Sequence, residues 1–331
     1  MGDNYKIPLV VLTGATAVGK TDLSISLAEN IGGEIISADS IQVYMGLDIG
    51  SAKIEDWEKK GIRHHLIDIL GPFDEFNVYL FKEMAKEKII EIYDRGHVPI
   101  IVGGTGFYIQ AVLYDVDFKE NEGDTVYRKE LEVILNSKGA QCLHDMLFKC
   151  DPESAEAIHV NNVKRVMRAL EFYHETGMKL SEHNKEQHEN VSPYNFKYFV
   201  LDDDRDVLYD RINRRVDIMF ENGFEDEINT LWKMGCNKDT FSMQGIGYRE
   251  MMSYKAGDIS LDEAKELIKL NSRHFAKRQL TWFRREKCVE WLKYPEFDND
   301  KGRMLAEMVC RCRKAGIVKL KDSTGSSNGE K

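Results

Sequence analysis

The sequence has no apolar run approaching the roughly 20 residues of a membrane span, so no membrane partner is expected. Its opening stretch, Met1-Gly-Asp-Asn-Tyr-Lys6, lacks the apolar centre of a signal peptide, and a cytoplasmic protein is expected. Cysteine is scarce: six residues, at positions 142, 150, 236, 288, 310 and 312 of 331. Only Cys310 and Cys312 lie close together, as C-x-C without a second pair or a following histidine. That pattern speaks against a zinc finger and for free thiols in a reducing compartment. Two nucleotide-binding signatures are missing as well. The G-x-G-x-x-G of a dinucleotide-binding turn is absent, with Thr16 and Ala17 where its glycines would stand. The N-K-x-D of a GTPase is approached only by Asn237-Lys-Asp239, which lacks the intervening residue. No internal repeat is visible.

What is present suffices for a sizeable core, since 42% of the residues are hydrophobic. The net charge of −10 speaks at first against a polyanionic partner. Net charge governs solubility and steering, however, and a local basic face can coexist with an acidic remainder. Positive charge gathers at Arg211, Arg214 and Arg215, and again at Lys164, Arg165 and Arg168. A third group runs from Arg273 to Lys287, with Lys277, Arg278, Arg284 and Arg285 against one acid, Glu286. A solvated helix face accounts for any one group; the three together describe a basic surface.

The order of elements defines the fold class. Pro8-Leu-Val-Val-Leu-Thr13 reads as a strand buried on both faces. Leu23, Leu27 and Ile31 then recur at helical spacing, and Gly32-Gly33 stops that helix. Glu34-Ile-Ile-Ser37 and Val98-Pro-Ile-Ile-Val102 read as further strands, with an amphipathic helix from Asn77 to Gly96 between them. Strands alternating with helices predict an α/β fold, a P-loop NTPase-like doubly wound parallel sheet. From Asp115 to about Val191 the chain is charged and helical, and Phe196-Lys-Tyr-Phe-Val-Leu201 returns as a strand. The expected organisation is a core of residues 1–116 and 196–320 with a helical insertion domain at 117–195. The remainder after the last strand is expected to be helical, and 321–331, polar and rich in glycine and serine, to be a disordered tail.

Loops at the carboxyl ends of parallel strands form the ligand crevice of such folds, so 14–21, 37–42 and 103–106 are expected on one edge. Gly14-Ala15-Thr16-Ala17-Val18-Gly19-Lys20-Thr21 satisfies G-x-x-x-x-G-K-[ST] between a strand and a helix. Its backbone amides and the helix dipole would face phosphate oxygens, with Lys20 as a point charge and the Thr21 hydroxyl as a ligand for Mg²⁺. Asp39, with Ser40, should lie across the crevice from Lys20, as a general base, a water-mediated Mg²⁺ ligand, or a cap of the next segment. Gly103-Gly-Thr-Gly106 allows close ligand approach and offers the Thr105 hydroxyl, or is only a tight turn. Asp202 ends a strand, as a metal-shell acid or a turn acid. His64-His65 points to opposite faces of an extended segment, which favours a structural part over a metal.

Taken together these segments resemble the tRNA dimethylallyltransferases, also called tRNA isopentenyltransferases. The resemblance rests on the P-loop, on Ile35-Ile-Ser-Ala-Asp-Ser-Ile-Gln-Val-Tyr44, on Asp48-Ile-Gly-Ser-Ala-Lys53 and on His64-His-Leu-Ile-Asp68. It continues through Pro99-Ile-Ile-Val-Gly-Gly-Thr-Gly106, Arg165-Val-Met-Arg-Ala-Leu170, Gly245-Ile-Gly-Tyr-Arg-Glu250 and Ala276-Lys-Arg-Gln-Leu-Thr-Trp-Phe-Arg-Arg285, over about residues 7 to 295. It implies transfer of a dimethylallyl group from dimethylallyl diphosphate to N6 of an adenine beside a tRNA anticodon. The P-loop would then cradle the diphosphate, with Mg²⁺ neutralising the leaving group. By the same resemblance Asp39 is the base, and Thr105 and Arg215 contact the diphosphate. RNA contacts are implied for Asp39, Ser40, Ile41 and Gln42, for Arg128, Lys164, Arg165 and Arg168, and for Gln244, Gly247, Tyr248, Arg249 and Arg278. A monomer is expected.

The sequence departs from the family at Ala15, where many members carry proline, and at Val160-Asn161-Asn162, which replaces a common Pro-Asn-Asp turn. It also lacks the zinc finger of eukaryotic relatives and so resembles the bacterial form. Two other classes use the same loop: a small-molecule kinase binding ATP, and an RNA-binding module with a nucleotide switch. The kinase does not account for Asp39-Ser-Ile-Gln42, Gly103-Gly-Thr-Gly106 and the basic helices together, and the RNA-binding module predicts nucleotide binding without product.

Overall fold

The computed structural model describes residues 6–117, 125–188 and 190–318. The stretch 321–331, expected to be a disordered tail, lies outside them. Contacts divide the chain into two compact units, one built from residues up to Val112 and from Pro193 onward, the other from Leu113–Ser192.

The first unit is built on a parallel sheet. Its strands are β1 (Ile7–Gly14), β2 (Gly33–Ala38), β3 (His64–His65), β4 (Val98–Gly103), β5 (Tyr194–Asp202) and β6 (Val289–Lys293). They lie in the order β3-β2-β4-β1-β5-β6. β1 is central and buried on both faces after its first residue, which is why it reads as an unbroken apolar run. Helices α1 (Lys20–Ile31), α2 (Val78–Asp94) and α3 (Gly106–Leu113) connect the first strands. Asn77 caps α2 by accepting the Leu80 amide hydrogen bond, as the Asn77 start signal requires. After β5 come α8 (Arg205–Glu221), α9 (Phe224–Lys233), α10 (Tyr248–Lys255) and α11 (Leu261–Phe283), and α12 (Lys301–Lys314) follows β6. Leu12, Leu23, Leu27, Ile100, Phe199, Ile212, Leu292 and Met304 belong to one continuous core.

The register fixes where the loops go. Thr13 pairs with Gly103, Gly14 with Leu201, and Ala38 with Gly103. The carboxyl ends of β1, β2 and β4 are therefore level, and the three polar loops that follow them share one edge, as the strand pattern predicts. The Thr13 hydroxyl strengthens this alignment by donating to the Gly103 carbonyl at 2.6 Å.

One expectation fails: the region after β5 is not wholly helical, because β6 adds a parallel strand beside β5. Val289-Glu-Trp-Leu-Lys293 is only five residues long and charged, too short to show a period. Its Glu290 is held between Lys197 (2.5 Å) and Arg311 (3.0 Å), so the charge that hides the strand in the sequence fastens it in the sheet. The histidine pair forms β3, and its role is structural. His65 meets the buried Glu34 at 2.7 Å, and Arg95 meets the same carboxylate at 2.7 Å. Burial pushes the Glu34 carboxyl up, but the hydrogen bonds from Arg95 and His65 outweigh it and hold its pKa below the ordinary value.

The second unit contains α4 (Thr125–Cys150), broken at Gly139, and then α5 (Pro152–Ala157), α6 (Val163–Thr176) and α7 (Leu180–His188). Leu131, Leu143, Leu147, Ile158, Val166 and Leu170 form its own core. Buried Asp151 caps α5 through the Ser154 amide and also accepts from the amide and hydroxyl of Ser181, tying α7 to α5. α6 opens at Asn162 without a side-chain cap, the local effect of the altered turn at 160–162.

Candidate active site

The P-loop joins β1 to α1 in one tight turn. Gly19, just before α1, has φ 99, and Ala17 has φ 62, so the backbone reverses twice between β1 and α1. A Cβ on Gly19 would lie 2.8 Å from the Tyr294 hydroxyl, a second reason for glycine there. The Lys20 ammonium bends back over its own loop and donates to the carbonyls of Gly14 (3.1 Å) and Ala15 (2.8 Å). Burial lowers its pKa to about 7; the nearby Arg215 guanidinium adds to the shift and the Asp39 carboxylate opposes it. Ala15 is buried, and its carbonyl also accepts the Val18 amide, so the loop is braced without a proline. Thr21 is exposed in the first turn of α1.

Asp39 follows β2 directly. Its Oδ1 accepts the amides of Ile41 (2.8 Å) and Gln42 (3.3 Å). The capping reading of this residue holds: Asp39 caps the turn, and that capping fixes a carboxylate in the lining of the cavity. Thr105 is half-buried, its amide near the Ala38 carbonyl at 3.4 Å and its own carbonyl starting α3. Gly103-Gly-Thr-Gly106 thus brings Thr105 to the same wall as Asp39.

Arg215 comes from α8, whose Leu208, Ile212, Val216 and Met219 form its buried stripe. It is half-buried at the border of that stripe, whereas Arg211 and Arg214 are exposed. Nη1 donates to the Thr16 hydroxyl and Nη2 to the Ser51 carbonyl, both at 3.3 Å. Burial lowers its pKa while the Asp39 charge raises it. Lys20, Asp39 and Arg215 therefore form one electrostatic set.

Thr16 of the P-loop, Asp39, Thr105 and Arg215 line a cavity of about 360 Å³; Lys20 is not among its lining residues. Its polar lining residues include Thr16, Asp39, Ser40, Thr105, Arg215 and Gln279, and its apolar ones Ile212, Val216, Met219, Ile246, Ile268 and Phe275. Ile41, Gln244, Arg249 and Arg278 also line it. Asp202 is not among the lining residues; burial raises its pKa, which fits a strand-end turn acid.

Two residues that hold the walls had not been singled out from the sequence. Glu227 on α9 accepts the amides of Asp48 (2.8 Å), Ile49 (2.6 Å) and Gly50 (3.2 Å), and the Tyr248 hydroxyl at 2.7 Å. Gln279 on α11 bridges Thr16 and Gly104. Gln279 lies inside a segment that carries the family resemblance, while Glu227 is one acid among several in Phe224-Glu-Asp-Glu-Ile228 and gives no signal of its own.

The remaining residues implied for RNA contact fall into groups. Gln244, Arg249 and Arg278 are exposed at the cavity, and Gln42 is half-buried beside it, meeting Ser37 at 3.1 Å. Gly247 and Tyr248 are buried, and Tyr248 points its hydroxyl at Glu227; their place is in the wall. In the second unit Lys164, Arg165 and Arg168 are exposed along α6. Arg128 is exposed on α4 and donates to the buried Glu171 at 3.0 Å, which gives it a structural task.

Among the described residues no group of three or more His, Cys, Asp or Glu could hold a metal. Thr21 lines a small space of about 40 Å³ with Ser24, Ser37, Gln42 and His64 and with the apolar Ile35, Ile54, Ile67 and Val102.

Comparison with known proteins places these features in context. The family profile described as IPP transferase matches residues 42–286, and that described as isopentenyl transferase matches residues 7–75. The chain is 54% identical over 312 residues to a tRNA dimethylallyltransferase of Lachnoclostridium phytofermentans, covering 94% of this chain and 99% of that one. It is similar to the crystal structure of the full-length tRNA isopentenylpyrophosphate transferase from Bacillus halodurans, with 45% identity and a TM-score of 0.70 over 94% of this chain and 98% of that one. It is also similar to a eukaryotic dimethylallyltransferase captured acting on tRNA, with 28% identity and a TM-score of 0.79 over 96% of this chain and 81% of that one.

Proposed function

The chain belongs to the IPP transferase family, and we propose that it moves a dimethylallyl group from dimethylallyl diphosphate to N6 of the adenine beside the anticodon in tRNA, releasing diphosphate. The observation that carries this reading is the mixed lining of one cavity, in which the polar Thr16, Thr105 and Arg215 stand together with the apolar Ile212, Val216, Met219 and Phe275. A nucleotide kinase has no use for an apolar lining beside its phosphate site; a prenyl diphosphate needs both.

In the reaction the C1–O bond of the donor breaks, the N6–C1 bond forms, and the N6 proton passes to Asp39. Positive charge develops on the allylic carbon as diphosphate leaves, so stabilising the leaving group lowers the barrier. The P-loop amides, Lys20 and Arg215 supply that stabilisation, and Arg215 does so with a planar fork suited to phosphate oxygens. Thr105 donates its hydroxyl to the same group. The Ile41 and Gln42 amides hold the Asp39 carboxylate in one rotation, so its proton-accepting oxygen needs no search when the amine arrives. Mg²⁺ would be held by Thr21 with the diphosphate oxygens, and when bound it neutralises charge on the leaving group.

The adenine must leave its stack to reach Asp39, and single-stranded loops are where RNA bases are splayed and read. Gln42, Gln244, Arg249 and Arg278 meet the flipped base and its neighbours at the cavity mouth. Lys164, Arg165 and Arg168 take RNA phosphates. Among the described residues no helix is long and apolar enough to cross a membrane. The proposed acceptor, tRNA, puts the proposed reaction in the cytoplasm.

The test is direct. The protein is incubated with tRNA, MgCl₂ and dimethylallyl diphosphate labelled in the prenyl group, and label is followed into RNA. Label in RNA at N6 of adenine supports the proposal. ATP hydrolysis or phosphate transfer without prenyl incorporation would overturn it.

A further inference from the structure

Gln279 is only 5% exposed although its side chain is a primary amide. Its Oε1 accepts the Thr16 amide at 2.9 Å, and its Nε2 donates to the Gly104 carbonyl at 2.9 Å. These partners fix which way the amide points, since reversing it would set donor against donor and acceptor against acceptor. The two partners belong to different loops. Thr16 is in the P-loop and receives Arg215 on its hydroxyl. Gly104 immediately precedes Thr105. A Cβ on Gly104 would lie 2.2 Å from Nε2, so the contact demands glycine there. One turn further along α11, Trp282 closes on Gly106 in the same manner, where a Cβ would lie 2.3 Å from the indole Cδ1.

We propose that Gln279 is a positioning residue that sets the spacing between the P-loop and the Thr105 loop, and so the geometry in which diphosphate is held. This rests on the assignment of those loops to diphosphate. The physical basis is that Gln279 satisfies one buried backbone donor on one loop and one acceptor on the other. Removing it leaves both unpaired and lets the loops separate. α11 thereby fixes two segments that are far apart in the chain.

The experiment is a double-mutant cycle on the full-length protein, with binding of inorganic diphosphate in MgCl₂ by calorimetry and steady-state kinetics as readouts. Gln279→Ala is expected to weaken inorganic diphosphate binding about tenfold and to raise KM for dimethylallyl diphosphate, with KM for tRNA unchanged. Gly104→Ala, which drives the amide off its partners, is expected to cost about as much. In the Gln279→Ala background the added methyl meets no amide, so Gly104→Ala should then cost less than about twofold. Gln279→Glu keeps the acceptor for Thr16 but loses the donor for Gly104, and is expected to fall between wild type and Gln279→Ala. Equal cost of Gly104→Ala in both backgrounds would overturn the proposal. Equal loss of diphosphate and tRNA binding in Gln279→Ala and Gln279→Glu, with a lowered Tm, would overturn it too, because a merely structural role behaves in that way. If wild type binds diphosphate and transfers label while the Gln279 variants match it, the inference fails and the functional reading stands. If wild type neither binds diphosphate nor transfers label, the functional reading fails and the inference with it.

Discussion

The positive charge of Arg215 helps burial lower the pKa of the Lys20 ammonium to about 7, so two cations at one phosphate site are arranged with one of them easily discharged. An incoming diphosphate reverses that balance, because an opposite charge favours the protonated lysine.

Diphosphate binding should therefore take up a proton and weaken as pH rises above about 7. Calorimetry in buffers of differing ionisation enthalpy measures the uptake directly, and Lys20→Met should abolish it. The stability effect has a definite sign as well. An unfolded lysine titrates near 10.5, so between about 7 and 10.5 the unfolded chain holds more protons and this residue makes stability rise with pH.

Asp39→Ala should lower the rate of prenyl transfer by roughly 10²–10⁴-fold, the usual contribution of a positioned base. Binding of tRNA, followed by filter retention, should stay within about threefold of wild type, since RNA affinity rests mainly on phosphate contacts. A collapse of tRNA binding would make Asp39 a positioning residue instead.

Arg215→Lys keeps the charge but loses the fork that reaches the Thr16 hydroxyl and the Ser51 carbonyl. Each hydrogen bond to a charged group is worth about 1.5–3 kcal/mol, so kcat/KM for the donor should fall roughly 10–100-fold. Initial rates across donor concentration, with tRNA saturating, provide the measurement.

Glu227→Ala strips the acceptor from three backbone amides and the Tyr248 hydroxyl. The Asp48 amide is exposed and can bond to water instead, and the other three groups at about 1 kcal/mol or more each give an expected loss of at least roughly 3 kcal/mol in urea unfolding. Glu227→Gln, which keeps one acceptor oxygen, should lose less.

Arg165→Glu together with Arg168→Glu should weaken tRNA binding and lower the slope of log K against log salt by about 1–2, as each lost phosphate contact releases one counterion fewer. Diphosphate binding should be unchanged. An unaltered salt slope would remove α6 from the RNA interface.

What the sequence revealed follows from how far each signal reaches. β1, the P-loop and α1 form one local unit whose glycines, lysine and apolar run are all within a few residues, and they fold where the pattern puts them. The shared edge of the Asp39 and Thr105 loops followed from topology alone, because parallel strands deliver their carboxyl ends together. β6 was hidden by its brevity and by Glu290, whose charge is explained only by Lys197 and Arg311. Gln279 and Glu227 were hidden by distance along the chain: Gln279 meets Thr16 across 263 residues, and Glu227 meets Asp48 across 179. No local pattern encodes a side chain whose partners are backbone atoms elsewhere.

The four hydrogen bonds converging on Glu227 have a mechanical consequence. The backbone at Asp48–Gly50 and the start of α10 are riveted to one carboxylate, so this part of the wall behaves as a single stiff panel. Ser51 at its margin touches Arg215. A bulky guest that presses on Ile246 or Arg249 would strain the panel at its rivet, and the load would reach Arg215 through one carbonyl. Tolerance for larger donors is then a question of how far that panel can give, and Glu227 sets its stiffness without touching the guest.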